Sequence, residues 1–330
     1  MKEKLLEILE LKRGEYLSGE ELAKRLQISR AGIWKQIQSL REDGYQILAV
    51  RNRGYCLEND NNRLSLAGML PYLKDPQRKD RITVHATVDS TNHVLKRMAL
   101  DGAKDHTVVI ADAQTAGRGR LGRSFYSPPG GGIYFSLLLR PTVPTDRVVA
   151  ITAAASVAAA RAVFAVTGRY PDIKWVNDLY LDGKKICGIL TEAISNFETG
   201  TVNAIVVGIG INCHTAFPEE LKEIAGNLDS GHALPNLRNH LAAELVNQTA
   251  DLEQLLQDRS YLPEYRAHSM VLSKPVTIPQ EPGSRYIAEQ IGEDGELILR
   301  SASGEERVLR SGEISLRLVE NFEVDKPEQP

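Results

Sequence analysis

The sequence predicts an α+β chain of several domains, and three observations carry that reading. Short capped helices followed by two strands open the chain. Strand runs then alternate with apolar helices through its middle, and five short strand runs close it. At 330 residues there is enough chain for two or three cores. The boundaries are expected at 1–62, 63–270 and 271–323, with a polar, disordered tail over 324–330.

In the first segment, leucine and isoleucine at 5, 6, 8 and 9 mark one helix face. Ser18-Gly19-Glu20-Glu21 is a capping box opening a second helix. Ser29 caps a third, whose Ile33, Ile37 and Leu40 fall at i, i+4 and i+7 and face inward. Two such helices joined by a short turn form a helix-turn-helix, and strands near Tyr45 and Tyr55 flank a basic turn, Arg51-Asn52-Arg53-Gly54, that reads as a wing. Ser29, Arg30, Ala31, Lys35 and Gln38 would meet a DNA groove, with Arg51 and Arg53 on phosphates or the minor groove. Residues 1–55 hold 11 Lys/Arg against 8 Asp/Glu, whereas the rest holds 29 against 35, so the basic end suits an anionic partner of its own. A small protein-interaction module with solvated lysines is the competing reading.

The middle segment opens with an alternating strand, 81–88, and a helix begun by Asp89-Ser90-Thr91-Asn92, small polar residues that suit a cap or a ligand. The segment that follows is unusual. Between Thr107-Val108-Val109-Ile110-Ala111 and Ile133-Tyr134-Phe135-Ser136-Leu137 runs Gln114-Thr115-Ala116-Gly117-Arg118-Gly119-Arg120-Leu121-Gly122-Arg123-Ser124. Its glycines spell GxGxxG, but a dinucleotide or P-loop fingerprint needs a helix next, and Pro128-Pro129-Gly130-Gly131-Gly132 forbids one. What remains is a strand, a glycine loop carrying three arginines, and a strand. Like charges repel, so this loop is expected to handle a phosphate or carboxylate and to order on binding it; a solvated surface loop is the plain alternative.

Further on, an alanine- and valine-rich helix starts near Asp146, and Asp172–Leu181 reads as one strand. Asp182-Gly183 turns it into Lys184–Ala193, and a third strand, Thr201–Cys213, follows across Glu198-Thr199-Gly200 in an antiparallel meander. Lys174, Asp178 and Lys185 on that hairpin also suit a half-exposed surface. Leu237–Gln257 is a further amphipathic helix, and the five C-terminal runs read as a small barrel. Seven scattered histidines lack ligand spacing, and three distant cysteines match neither a disulfide framework nor a zinc site. The apolar run at 148–166 carries Arg161, so no membrane is expected and a cytoplasmic location is.

With these pieces assembled, the chain resembles the bifunctional biotin–protein ligase and biotin-operon repressor family over nearly its whole length. The resemblance rests on residues 114–120 and on Lys174-Trp175-Val176-Asn177-Asp178. Lys185-Ile186-Cys187-Gly188-Ile189-Leu190, Gly208-Ile209-Gly210-Ile211-Asn212 and Ser311-Gly312-Glu313-Ile314-Ser315 support it. It implies a class II synthetase-like central domain with a mixed or antiparallel sheet, and an SH3-like C-terminal β-barrel. The implied chemistry is biotinyl-5'-AMP made from biotin and ATP with Mg²⁺, then transfer to a lysine of the biotin carboxyl carrier protein of acetyl-CoA carboxylase. It further implies repression at biotin-operon operator DNA by an adenylate-bound homodimer.

By the same resemblance Ser90, Thr91, Asn92, Gln114, Arg118, Gly119, Arg120, Lys185 and Gly188 would contact biotin or its adenylate, with Arg118, Arg120 and Lys185 catalytic. Arg123, Asn177, Asp178 and Asn212 would lie at the nucleotide; the Mg²⁺ ligands are left open. Phe125 stands where some members carry Trp, and Val176 where many carry Pro. A lipoate-type ligase, or a ligand-sensing repressor without catalysis, are the alternatives.

Overall fold

The computed structural model describes residues 1–140, 148–195, 202–229, 234–281, 283–310, 312 and 314–316. The expected turn at 198–200, the start of the alanine-rich helix at 146, residues 311 and 313 of the 311–315 motif and the tail lie outside these residues.

The first segment is helices α1 (Lys2–Leu11), α2 (Gly19–Leu26) and α3 (Arg30–Glu42), then strands β1 (Ile47–Val50) and β2 (Gly54–Leu57). Both expected caps form: Ser18 Oγ accepts from Glu21 N–H and Ser29 Oγ from Gly32 N–H, each at 3.0 Å. Leu5, Leu9, Leu22, Ile33, Ile37, Leu40 and Leu57 make a core of their own. The wing closes because Leu17 and Tyr55 exchange backbone hydrogen bonds of 2.8 and 2.9 Å. Gly54, at φ +106°, makes that possible, since a Cβ there would lie 2.0 Å from Leu17 O.

After α4 (Leu66–Met69) come β3 (Ile82–Val88), α5 (Thr91–Leu100), β4 (Val108–Gln114), β5 (Gly132–Leu139) and α6 (Val148–Thr167). Four strands complete this sheet: β6 (Asp172–Lys174), β7 (Asp178–Leu181), β8 (Lys184–Ser195) and β9 (Val202–Asn212). Their order is β3-β4-β5-β9-β8-β7-β6. The sheet is mixed: β3 and β4 are parallel across the α5 crossover, and every other pair is antiparallel. Leu95 and Ala99 of α5 pack on Val109, Leu138 and Val206 on one face. The other face shares the main core with α6 and α7 (Leu237–Gln248).

The stretch Asp172–Leu181 is not one strand. It reverses at Trp175-Val176-Asn177, where the Trp175–Val176 peptide is cis, and Lys174 pairs in register with Asp178. The reason is burial of two consecutive side chains. Trp175 and Val176 both enter the core, and Trp175 Nε1 donates to Gly295 O at 3.0 Å, which an alternating strand would not allow. Leu237–Gln257 likewise breaks, into α7 and α8 (Leu252–Asp258), because Thr249 Oγ1 turns back onto Leu245 O at 2.7 Å and the chain bends at Ala250-Asp251.

α6 is long and apolar enough to cross a membrane, yet its alanine face is core, and Arg161 forms an ion pair with Glu264 of α9 (Leu262–Ala267) at 2.6 Å.

The C-terminal strands are β10 (Pro275–Thr277), β11 (Tyr286–Ile291), β12 (Leu297–Ser301), β13 (Glu306–Leu309) and β14 (Ser315–Leu316). They form an antiparallel sheet in the order β13-β12-β11-β10-β14. Val276, Ala288, Leu297, Leu299 and Ile314 join the main core, so this sheet braces the central one.

Candidate active site

The arginine loop is built where the two parallel strands end and α5 begins. Thr115 and Ala116 donate their N–H groups to Val88 O and Asp89 O at 2.9 and 2.8 Å, fastening the loop to the end of β3. It then folds on itself: Phe125 N–H donates to Gly117 O at 2.9 Å and Gly119 N–H to Arg123 O at 2.7 Å. The loop was expected to order on binding; here these bonds, with Arg120 Nη1 donating to Asn177 Oδ1 at 3.1 Å, offset the repulsion between its arginines. Its glycines have different jobs. A Cβ on Gly117 would sit 2.5 Å from Phe125 O, and Gly122 adopts φ +75°, whereas Gly119 has ordinary room.

The loop roofs a cleft of about 140 Å³. Ser90, Thr91, Asn92, Gln114, Arg118, Gly119, Arg120, Arg123, Asn177, Asp178, Lys185 and Gly188 all line it. Asn212 does not. It is buried at the end of β9, opposite Gly132, where its carbonyl accepts from Leu228 N–H at 3.0 Å. The expected DNA contacts lie far along the chain from this cleft, on α3 and the wing. Arg30, Ala31, Lys35, Arg51 and Arg53 are exposed there and Gln38 is half-buried. Arg53 stacks its guanidinium 3.9 Å from the Tyr16 ring centroid. Ser29 spends its oxygen on the helix cap.

One wall of the cleft is a polar network at the start of α5. Thr91 N–H donates to Gln114 Oε1 at 2.9 Å, and Gln114 Nε2 donates to Ser127 Oγ at 3.0 Å. Ser136 Oγ, fully buried on β5, donates to Asn92 Oδ1 at 2.6 Å. Asn92 Nδ2 donates to Leu190 O at 3.2 Å and Glu192 Oε2 at 2.8 Å, and Lys96 Nζ reaches Glu192 Oε1 at 2.5 Å. Burial alone would raise the Glu192 pKa, but the hydrogen bonds from Lys96 and Asn92 outweigh it, so the carboxyl is held below its usual range. Ser90 takes the N-cap backbone position without a side-chain cap bond, which corrects its bland reading as a capping hydroxyl.

The floor is bare backbone. Gly188 and Gly210 are paired across β8 and β9, and Gly208 lies two residues before Gly210. A Cβ on Gly210 would be 2.6 Å from the Phe125 ring, and one on Gly208 would be 2.3 Å from Asn92 Oδ1. Phe125 lies over this floor and meets Tyr134 edge-on, with centroids 6.4 Å apart. Sequence reading placed Gly188 in the site but missed the role of Gly208 and Gly210, Ser136 and the Lys96–Glu192 pair. Glycines alternating at 208 and 210 inside a strand were the available sign, since they leave one face of a pleat empty.

The far wall is charged. Arg118, Arg120, Arg123, Lys174 and Lys185 face the cleft with one carboxylate, Asp178. Lys185 Nζ lies 2.8 Å from Asp178 Oδ1 as an ion pair, but off the direction of a hydrogen bond, so that buried oxygen keeps an unfilled acceptor. No group of three His, Cys, Asp or Glu side chains could hold a metal among the described residues. Burial pushes the Cys213 thiol up to about 12 and the Cys187 thiol further, which leaves both inert as nucleophiles. The site can therefore hold an anion and a flat apolar group side by side, and it offers no covalent nucleophile of that kind.

Comparison with known proteins bears on both halves. Residues 84–212 match the biotin/lipoate A/B protein ligase family and residues 2–56 match an HTH domain. The bifunctional ligase/repressor BirA of Escherichia coli (strain K12) is 32% identical over 316 residues, covering 94% of this chain and 96% of that protein. The chain belongs to the bifunctional biotin ligase/repressor family. The protein of the same name from Bacillus subtilis (strain 168) is 37% identical over 231 residues, covering 69% of this chain and 70% of that one. Among solved structures, the biotin protein ligase from Aquifex aeolicus, in complex with biotin and ATP, superposes with a TM-score of 0.60 at 27% identity. That match covers 72% of this chain and 98% of that chain. The Escherichia coli relative therefore aligns with this chain across both the HTH match and the ligase-family match.

Proposed function

We propose that the cleft makes biotinyl-5'-AMP from biotin and ATP and passes the biotin to a lysine of a biotin carboxyl carrier protein, and that the winged segment represses biotin genes. The observation that carries the reading is one cleft in which five cationic side chains and a single carboxylate face a floor of bare glycine backbone. Its chemistry follows. A carboxylate must attack the α-phosphate of ATP, and both reactants are anions. Arg118, Arg120 and Lys185 offset the charge that grows on the phosphoryl oxygens in a partly dry site. Arginine grips two oxygens at once, and Lys185 supplies a point charge.

The network of Thr91, Asn92 and Gln114 orients the polar end of the bicyclic ring, which lies flat over Gly188 and Gly210 once Phe125 gives way. Arg123, Asn177 and Asp178 lie toward the nucleotide; Asn212 supports the Gly131–Gly132 turn rather than the ligand. Mg²⁺ supplies charge neutralisation on the phosphates when bound with ATP. Asp178 suits it, since this ion needs only one or two carboxylates besides phosphate and water oxygens, and Asp178 Oδ1 has an acceptor to spare. The mixed anhydride is destroyed by water, so the loop over residues 117–123 shields it until the carrier lysine attacks the carbonyl and AMP leaves.

In the same reading the segments 1–62, 63–270 and 271–323 are a winged helix, a class II synthetase-like domain and an SH3-like barrel. The protein works in the cytoplasm, where its substrates are. Adenylate held under the loop stabilises a homodimer whose paired winged helices fit a two-fold operator. The test is pyrophosphate release on mixing the chain with biotin, ATP and Mg²⁺, followed by labelling of a carrier domain. Release with lipoate instead of biotin would make this a lipoate-type ligase, and no release with either would leave a sensing repressor.

A further inference from the structure

The outer face of α3 carries a residue that the DNA-binding reading left unused. Ser29 caps the helix, Ile33, Ile37 and Leu40 are turned fully inward, Arg30, Ala31 and Lys35 are exposed, and Gln38 is half-buried at the edge of the outer face. At the centre of that outer face is Trp34, 57% exposed. It sits three residues after Ala31 and four before Gln38, so all three lie on one stripe. No hydrogen bond or ring contact engages it among the described residues. The other tryptophan, Trp175, is 3% exposed and donates its indole N–H to Gly295 O. A large apolar ring held in water on a helix whose other side is a complete core does nothing for the fold of this chain.

The surroundings of Trp34 say what would cover it. The first helical turn carries no acidic residue, Arg30 and Lys35 flank the indole, and the wing adds Arg51 and Arg53. A cationic helix with an apolar centre is complementary to the major groove. Phosphates there flank a floor on which the C5-methyl group of thymine is the one apolar feature. Residues early in a recognition helix are those that reach base edges, and Trp34 is the fifth residue of α3.

We propose that Trp34 is a specificity-determining residue that packs on a thymine methyl in the major groove, beside Ala31. The inference rests on the winged segment binding DNA. Arg30 and Lys35 then supply affinity for the backbone, and Trp34 supplies discrimination.

The experiment uses the full chain with biotin and ATP present. Duplexes are selected from a random pool by the wild type and by Trp34→Ala. Each thymine of the wild-type consensus is then replaced by deoxyuridine, which removes only the methyl, and binding is followed by fluorescence anisotropy. In the wild type at least one replacement should weaken binding about fourfold, the worth of one apolar carbon. Trp34→Ala should lose that penalty and select sequences relaxed at the same position. Should Trp34→Ala unfold by circular dichroism, Trp34→Gln carries the same test. The same consensus and the same deoxyuridine penalty in the variant would overturn the proposal. So would a change in self-association with sequence selection intact, which would assign Trp34 to a protein interface. If the wild type selects no sequence at all, the DNA-binding reading falls first and Trp34 with it.

Discussion

Gly210→Ala tests the glycine floor with a single methyl group. Gly210 does not need a left-handed backbone, so the strand itself accepts alanine. The added Cβ would stand 2.6 Å from Phe125 Cε1 and 2.7 Å from its Cζ, where ordinary carbon contact needs about 3.5–4.0 Å. Phe125 is half-buried and the clash is with its side-chain ring rather than with backbone, so the ring moves aside by about an ångström. Overpacking of this kind costs about 1 kcal/mol of stability, the low end of its range, because one side of the ring faces the cleft. The effect on ligand is larger. The methyl occupies the floor itself and lifts a flat ring away from the cationic wall. A displacement of about 1 Å costs roughly 10²-fold in rate, near 2.7 kcal/mol. The assay is kcat/KM for biotin in carrier labelling, read beside the unfolding midpoint. We expect kcat/KM to fall about 10²-fold while stability changes little. Gly208→Ala gives the contrast. Its methyl would meet Asn92 Oδ1, which Ser136 holds at 2.6 Å and which cannot retreat, so stability falls too. Wild-type kcat/KM for biotin in Gly210→Ala would remove the glycine floor from the site.

Three further outcomes are expected. Arg120→Ala removes a charge that donates to Asn177 at 3.1 Å over the cleft, and adenylate formation measured by pyrophosphate exchange should fall by about 10²–10³-fold; unchanged exchange would take Arg120 out of the site. Lys96→Met deprives Glu192 of its cation. The Glu192 carboxyl is depressed in the folded state, so its contribution is full above its unfolded value of 4.5 and is lost as pH falls through the folded value. Acid unfolding of the variant should therefore begin at higher pH than in the wild type, a shift read by circular dichroism between about pH 3 and 5. Gly54→Ala places a Cβ 2.0 Å from Leu17 O at φ +106°, which should destabilise the winged segment by about 3 kcal/mol and abolish duplex binding in gel shifts while leaving biotin adenylation in place.

How much was legible in the sequence depended on how local the determinant is. Ser18 and Ser29 announce their helices because a cap is a contact between neighbours in sequence, and both caps form. The five C-terminal strand runs were visible for the same reason, each bounded by turn residues. The reversal at Trp175-Val176 was not, because what drives it is Gly295, 120 residues away in sequence. The break after α7 hid behind a hydrophobic pattern that continues across it, whereas the turn rests on one threonine hydroxyl. At the site, the arginine loop stood out as a dense local pattern. Its floor was legible only in part: Gly188 was picked out, but Gly210 becomes its neighbour only when β8 and β9 pair. Arg238 shows the same limit. It reads as an exposed residue of an amphipathic helix, yet it is buried, paired with Asp112, and donates Nε to Gly132 O at 2.9 Å beside the turn that follows the loop.

The most direct test is a crystal structure of the chain soaked with biotin and ATP. The account predicts a ligand lying flat over Gly188 and Gly210, with its phosphate gripped by Arg118, Arg120 and Lys185 and with Phe125 displaced. Density for biotin or nucleotide elsewhere, with residues 114–124 touching neither, would contradict it.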